Sequence, residues 1–140
     1  MPIPNKIEYL NKVKKECEEL SETYRKKYKK HKRLDDMLDV ITSLLNGSAI
    51  ALTLSGFTMP ILLIGAIVSN SISFVITQGQ RSYNLKRRYL QNDTTYKQYT
   101  DLVRKIESIL HKNHLTSEEY DLFIDQVHDR IALIDDNRLL

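Results

Sequence analysis

Hydrophobic and polar positions follow different rules in successive parts of this chain. From Leu10 through Val13, Cys17 and Leu20 to Tyr24, apolar residues recur at alternating steps of three and four, with Ile7 before them and Leu34 and Leu38 beyond. This spacing predicts a helix from about Asn5 with a short heptad stripe on an otherwise polar surface. From Val40 to Gln80 the rule changes, because no residue there carries a charge. A single helix of that length would measure about 60 Å, twice the roughly 30 Å of a bilayer's hydrocarbon core. Ser55-Gly56-Phe57-Thr58-Met59-Pro60 interrupts the stretch. Two helices, about 37–54 and 59–77, folded back near Phe57, fit a bilayer better than one. Pro60 suits the first turn of the second helix, where its missing N–H costs little, and Gly56 supplies a helix stop.

Past Gly79 a third helix is expected. Leu85, Tyr89, Asn92, Tyr96, Tyr99, Val103, Ile106 and Leu110 keep a 4-3-4-3-4-3-4 spacing. Asn92 is the polar exception. It either fixes register in a buried seam or faces water beside a shorter stripe. The last helix has the clearest start signal. Thr116 and Glu119 form a capping box, and Leu115 and Tyr120 occupy the two positions of a hydrophobic staple. Tyr120, Phe123, Ile124, Val127, Ile131 and Ile134 make its apolar face, while Asp121, Asp125 and Asp129 lie four apart on the other.

These patterns predict an all-α fold: a long antiparallel helical hairpin with two membrane-spanning helices, extended cytosolic helical arms and a C-terminal amphipathic helix. The sections are a basic arm (1–36), a transmembrane hairpin (37–78), a second basic amphipathic arm (79–113) and an acidic C-terminal helix (114–140). The two arms are expected to pair antiparallel. The last helix should fold back on them or on a neighbouring subunit, its acidic side near the basic arms.

Charge sets the orientation. The formal net charge of +3 hides a basic collar and an acidic tail. Arg25 to Arg33 is dense in Lys and Arg, including Lys29, Lys30, Lys32 and Arg33; Arg81, Lys86, Arg87 and Arg88 flank the other span. With an uncharged turn between, the positive-inside rule places both termini on the cytosolic or interior side of the membrane. The eight named cations are expected at lipid head groups, each worth about 1 kcal/mol near an anionic surface. A nucleic-acid patch is the competing reading of such runs; beside the apolar stretch, nucleic acid is not expected as a partner.

The spans are not uniformly greasy. Gly47, Ala51 and Ser55 lie four apart in the first, and Gly65, Ser69, Ser73 and Thr77 in the second. Small residues at this spacing let membrane helices pack closely. Asp39, Thr42, Ser43, Asn46 and Asn70 are the intramembrane polar candidates. Antiparallel pairing sets Asn46 and Asn70 at similar depth, where they would bond to each other, to Ser or Thr on a neighbour, or to water in a pore. Such groups either glue helices together or line an aqueous path.

No catalytic motif is present. Cys17 is the only cysteine, which leaves no disulfide framework or cysteine-based zinc site. His31, His111, His114 and His128 are scattered, and no Gly-rich phosphate loop, nucleophile elbow or HExxH occurs. Neither cofactor, metal nor enzymatic activity is expected. The first residues are too polar for a secretory signal, Pro2 excludes N-myristoylation, and the final Asn-Arg-Leu-Leu is no prenylation box. Any membrane attachment is therefore expected to come from the hairpin.

A basic helix ending in KKHKRLDDMLDVITSLL, two short Ser/Gly-rich spans and a second basic helix resemble the layout of the SLATT group of two-transmembrane proteins. The resemblance covers roughly residues 22–112 and rests on the Arg33-Leu34-Asp35 and Arg81–Arg88 flanks. These small membrane effectors accompany nucleotide-signalling conflict systems and also occur in viruses and mobile elements, so the resemblance implies a pore-forming or membrane-perturbing oligomer. Three functions follow from the sequence. The favoured one is an oligomeric, non-enzymatic membrane scaffold, for example in a virion or organelle membrane, whose arms bind other proteins. The others are a SLATT-like pore and a soluble helical assembly protein that buries its hairpin against partners.

Overall fold

The computed structural model describes residues 2–56, 58–112 and 114–139; Phe57, about which the spans were expected to turn, lies outside the described residues. It contains four helices: α1 (Ile3–Gly56), α2 (Ile61–Tyr83), α3 (Leu85–Leu110) and α4 (Ser117–Leu139). The first arm and first span are one unbroken helix, because nothing between Asn5 and Leu54 stops it. No proline occurs there, and Gly47 is the single glycine of that segment. The break expected at Gly79 falls at Asn84, whose φ of 48° and ψ of 40° are left-handed and whose N–H caps the carbonyls of Gln80 and Arg81. Asparagine tolerates that conformation better than any other side-chain-bearing neighbour in the segment. The chain divides into two compact units: Lys29–Tyr89, and the flanking residues up to Tyr28 with those from Leu90 onward.

The flanking unit is a three-helix bundle built from the start of α1, most of α3 and α4. Its core holds Leu10, Val13, Cys17, Tyr24, Tyr99, Leu102, Ile106, Tyr120, Val127 and Ile134. The heptad stripes are the faces that meet, with one correction. Leu20 is exposed; Ser21 takes its place and hydrogen-bonds Thr100 at 3.0 Å. Asn92 is half-buried, not turned fully to water. Tyr24 stacks on Tyr99, and Lys14 meets Glu107 at 2.8 Å, which fixes α1 and α3 antiparallel.

Helix α4 starts as its sequence predicts. The Thr116 N–H donates to Glu119 Oε2 at 2.7 Å, and the Glu119 N–H donates back to Thr116 Oγ1 at 3.3 Å. Four polar ties then hold α4 to α1 and α3. Lys6, almost wholly buried, donates to the Ser117 carbonyl, Ser117 Oγ and Asp121 Oδ2. Tyr9 bonds His128, Tyr99 donates to Asp135 at 3.1 Å, and Arg138 donates to the Tyr24 hydroxyl at 2.6 Å. The acidic face does not lie on the basic arm as a whole. Asp125 and Asp129 are exposed and make no ion pair among the described residues, because the buried seam of α4 turns them outward.

Candidate functional site

In Lys29–Tyr89 the later part of α1 packs against α2 with its polarity reversed. Val40, Leu44, Ile50 and Leu54 of α1 and Ile61, Ile64, Ile67, Phe74 and Val75 of α2 are exposed, Ile61 to 73%. The residues buried between the helices are small or polar: Ala49, Ala66 and Ser73. A water-soluble helix pair hides its Leu and Ile; this pair exposes them and buries small residues in their place. Both helices contain stretches long and apolar enough to cross a membrane.

The register follows from the close contacts. Asp39 meets Gln80, Asn46 meets Ser73, and Gly56 stands beside Leu63. Gly56 is required by proximity, since a Cβ there would lie 2.5 Å from a Leu63 methyl carbon. It ends α1 without adopting a positive φ. Gly65 is similarly placed, with Leu52 at 3.1 Å from where its Cβ would be. At the turn, the Ser55 carbonyl accepts the N–H groups of Thr58 and Met59 and the Thr58 hydroxyl.

The two small-residue rows have different fates. Gly65, Ser69, Ser73 and Thr77 are half-buried or buried on the side facing α1. Gly47, Ala51 and Ser55 are exposed, and a Cβ on Gly47 would meet nothing within 4 Å. That first row takes no part in pairing within the chain; Ala49 and Gly56 carry the close approach on α1 instead.

Among the intramembrane polar candidates, Asn46 does not meet Asn70. The Ser73 hydroxyl donates to Asn46 Oδ1 at 2.7 Å, because in this register the residue level with Asn46 is Ser73, three beyond Asn70. Asn70 is exposed and has no hydrogen bond among the described residues. Asp39 Oδ1 accepts from Gln80 Nε2 at 2.9 Å, and the same amide reaches Asp35 Oδ1 at 3.2 Å. Ser43 is exposed and returns its proton to the Asp39 carbonyl at 2.8 Å. The Thr42 hydroxyl is buried without a hydrogen-bond partner among the described residues. It stands between the Asp39–Gln80 and Asn46–Ser73 contacts, and rotation about χ1 would return its proton to the Leu38 carbonyl, as Ser43 does one residue on. The hydrogen-bonded seam between the helices stops at Asn46; beyond it Ala49, Leu52, Gly65 and Ala66 close the interface, with half-buried Ser69 on the same side of α2.

Lys29, Lys30, Lys32 and Arg33 on α1 and Arg81, Lys86, Arg87 and Arg88 on α2 and α3 are all exposed. Arg88 lies over the Tyr83 ring, 4.5 Å from its centroid. Sequence reasoning missed Gln80 and Asp35, which tie the base of the hairpin. Gln80 continues the stripe of Ser69, Ser73 and Thr77, and that was the available signal. Among the described residues no group of three His, Cys, Asp or Glu side chains is placed to hold a metal ion. Comparison of the chain with protein-family models, curated proteins and solved structures finds no match.

Proposed function

We propose that this is a non-enzymatic integral membrane protein that crosses a bilayer twice, keeps both termini on the cytosolic or interior side, and assembles with its own copies into a structural scaffold. The observation that carries the reading is the inverted polarity of the helix pair. In water, exposing Leu44, Leu54, Ile61, Ile64, Ile67, Phe74 and Val75 together would forfeit about 1.5–3 kcal/mol per side chain. In hydrocarbon the same surface is at home, and the backbone polar groups are satisfied within the helices. The basic collar fits the orientation. The exposed row Gly47, Ala51 and Ser55 and the unpaired Asn70 amide favour self-association, since an unsatisfied amide in hydrocarbon costs several kcal/mol. The three-helix bundle is the part that meets other proteins.

A pore is the second reading, favoured by the Thr42, Asn46 and Asn70 side chains and by the SLATT-like layout. Within one hairpin the seam closes beyond Asn46, so a conducting path would have to form between copies. Alkaline carbonate extraction and flotation with liposomes test the membrane assignment: the protein should stay with the lipid. Release into the supernatant would overturn it in favour of a soluble assembly whose partners cover the hairpin. Planar-bilayer recording separates scaffold from pore. The scaffold passes no current; current abolished by Asn46→Leu would replace it with the pore.

A further inference from the structure

We infer that the base of the hairpin binds a zwitterionic aminophospholipid head group, phosphoethanolamine in chemistry, with its phosphate on one wall of a cleft and its ammonium on the other. The inference rests on the membrane reading above and goes further by naming the lipid. Within Lys29–Tyr89 a cleft of about 410 Å³ is lined by Asp35, Asp36 and Asp39 from α1 and by Arg81, Lys86 and Arg87 from α2 and α3. It lies where the uncharged spans end, at the level of the Asp39–Gln80 contact, which is head-group depth if the spans are in a bilayer.

Two features make this more than a basic collar. First, the left-handed Asn84 assembles the cationic wall. In an uninterrupted helix of about 3.6 residues per turn, Lys86 and Arg87 would point about 140° and about 120° away from Arg81. The break at Asn84 lets all three line one cleft. Second, the walls do not neutralise each other throughout. Among the described residues Arg81 and Lys86 form no ion pair, and Asp35 and Asp39 are held by the neutral Gln80 amide. A purely anionic lipid would satisfy the cations and be repelled by three carboxylates. A phosphoethanolamine satisfies both, its primary ammonium giving three donors to carboxylate acceptors. Phosphocholine has the charge without the donors.

The test uses the full chain in detergent, with bound lipid measured by native mass spectrometry. Phosphatidylethanolamine should be retained about tenfold over both phosphatidylglycerol and phosphatidylcholine, the size expected of one charge-assisted hydrogen-bond set. Asp36→Asn with Asp39→Asn should bring the ratios to near one. Asp36→Asn alone, at an exposed position that cannot unfold the hairpin, should lower them by about threefold. Arg81→Gln with Lys86→Gln should weaken retention of all three lipids. Equal retention of the three lipids by the unaltered protein, or ratios unmoved by the Asp variants, would overturn the inference. Displacement of the lipid by micromolar glycerophosphoethanolamine would also overturn it, assigning the cleft to a soluble phosphoamine. Carbonate extraction of the same preparations keeps the two readings apart: protein that stays in the membrane but shows no lipid preference refutes the head-group site alone.

Discussion

Asn46 and Ser73 form the hydrogen bond between the two spans that lies deepest from the hairpin's charged base, at 2.7 Å, and its strength can be bounded. Hydrogen bonds between membrane helices average about 0.6 kcal/mol in double-mutant cycles and reach about 1.7. Both groups here are neutral, which keeps the bond within that range. Ser73→Ala leaves the exposed Asn46 amide without its partner. Asn46→Ala leaves a buried hydroxyl, but that hydroxyl has a fallback in the Ser69 carbonyl. Thr77 and Ser71 already bond that way, to the Ser73 and Ile67 carbonyls at 2.9 and 2.8 Å. Ser73→Ala should therefore cost the more of the two, about 1–1.5 kcal/mol against about 0.5–1 for Asn46→Ala, with a coupling of about 0.5–1 kcal/mol. Steric trapping of the two spans in bicelles measures all four corners of the cycle. Asn46→Leu should pull insertion and pairing in opposite directions, improving membrane partition by about 0.5 kcal/mol or more while still losing the bond. A coupling below about 0.3 kcal/mol would refute the register, because two groups out of contact behave additively.

Gly56→Ala should weaken hairpin closure by about 1–3 kcal/mol through overpacking, and Leu63→Ala should restore most of it; failure of that rescue in the same trapping assay would count against the close approach at the turn. Lys6→Met keeps the buried stem and removes the ammonium that holds Ser117 and Asp121. It should cost about 1–3 kcal/mol in thermal unfolding followed by circular dichroism, since Asp121 is exposed enough to turn to water; an unchanged melting temperature would refute the tie. Thr116→Ala should cost about 1 kcal/mol in the same assay, and no loss would mean the capping box is idle. Burial, reinforced by Glu16 and Glu18, pushes the Cys17 thiol from 9.0 up to about 11. The folded value lies above the unfolded one, so this contribution is complete below pH 9 and is lost as pH rises towards 11. Two units correspond to about 2–3 kcal/mol. Cys17→Ala should flatten the alkaline fall in stability, and an equally steep fall would exclude the thiol as its source. Tyr99, raised by burial and by Asp135, acts in the same direction at higher pH.

The sequence made the helices readable because each is marked by something local. Thr116 and Glu119 fixed the start of α4, Pro60 marked the start of α2 to within two residues, as its N-cap and not inside its first turn, and the 4-3 spacing picked out Tyr99 and Ile106 as core. What it could not place depended on partners distant in sequence. Which side of a small-residue row faces the other span is set by the register of the hairpin, so Gly47, Ala51 and Ser55 looked equivalent to Gly65, Ser69 and Ser73 until Asn46 was seen against Ser73. The break at Asn84 was hidden for a different reason. Glycine is the usual signal of a left-handed residue, and Gly79 drew attention to itself while standing inside α2 with open space around it. Leu20 fell out of the core because steps of three and of four both fit one helix face, and only the facing Thr100 decides for Ser21.

Helix α1 obeys two opposite burial rules without a break in its backbone. Up to Tyr24 it hides Leu10, Val13 and Cys17 and shows its lysines and glutamates; from Val40 it shows Val40, Leu44, Ile50 and Leu54 and keeps Asn46 bonded to α2. Propensity cannot explain the reversal, since Leu, Ile and Ala form helix equally well under either rule. Only a change of surroundings can. The change falls between Tyr24, the last buried residue of the bundle on this helix, and Val40, where the uncharged stretch begins. That interval holds Asp35, Asp36 and Asp39, the carboxylates that face Gln80 and the cationic cleft wall. Three carboxylates are costly neighbours for hydrocarbon unless cations or donors meet them at the boundary. A protein partner covering the hairpin would need no such boundary, since it could supply its own charges at any height. A bilayer does need one, at a single depth on both helices, and Asp39 on α1 stands level with Gln80, the last uncharged residue before Arg81, on α2.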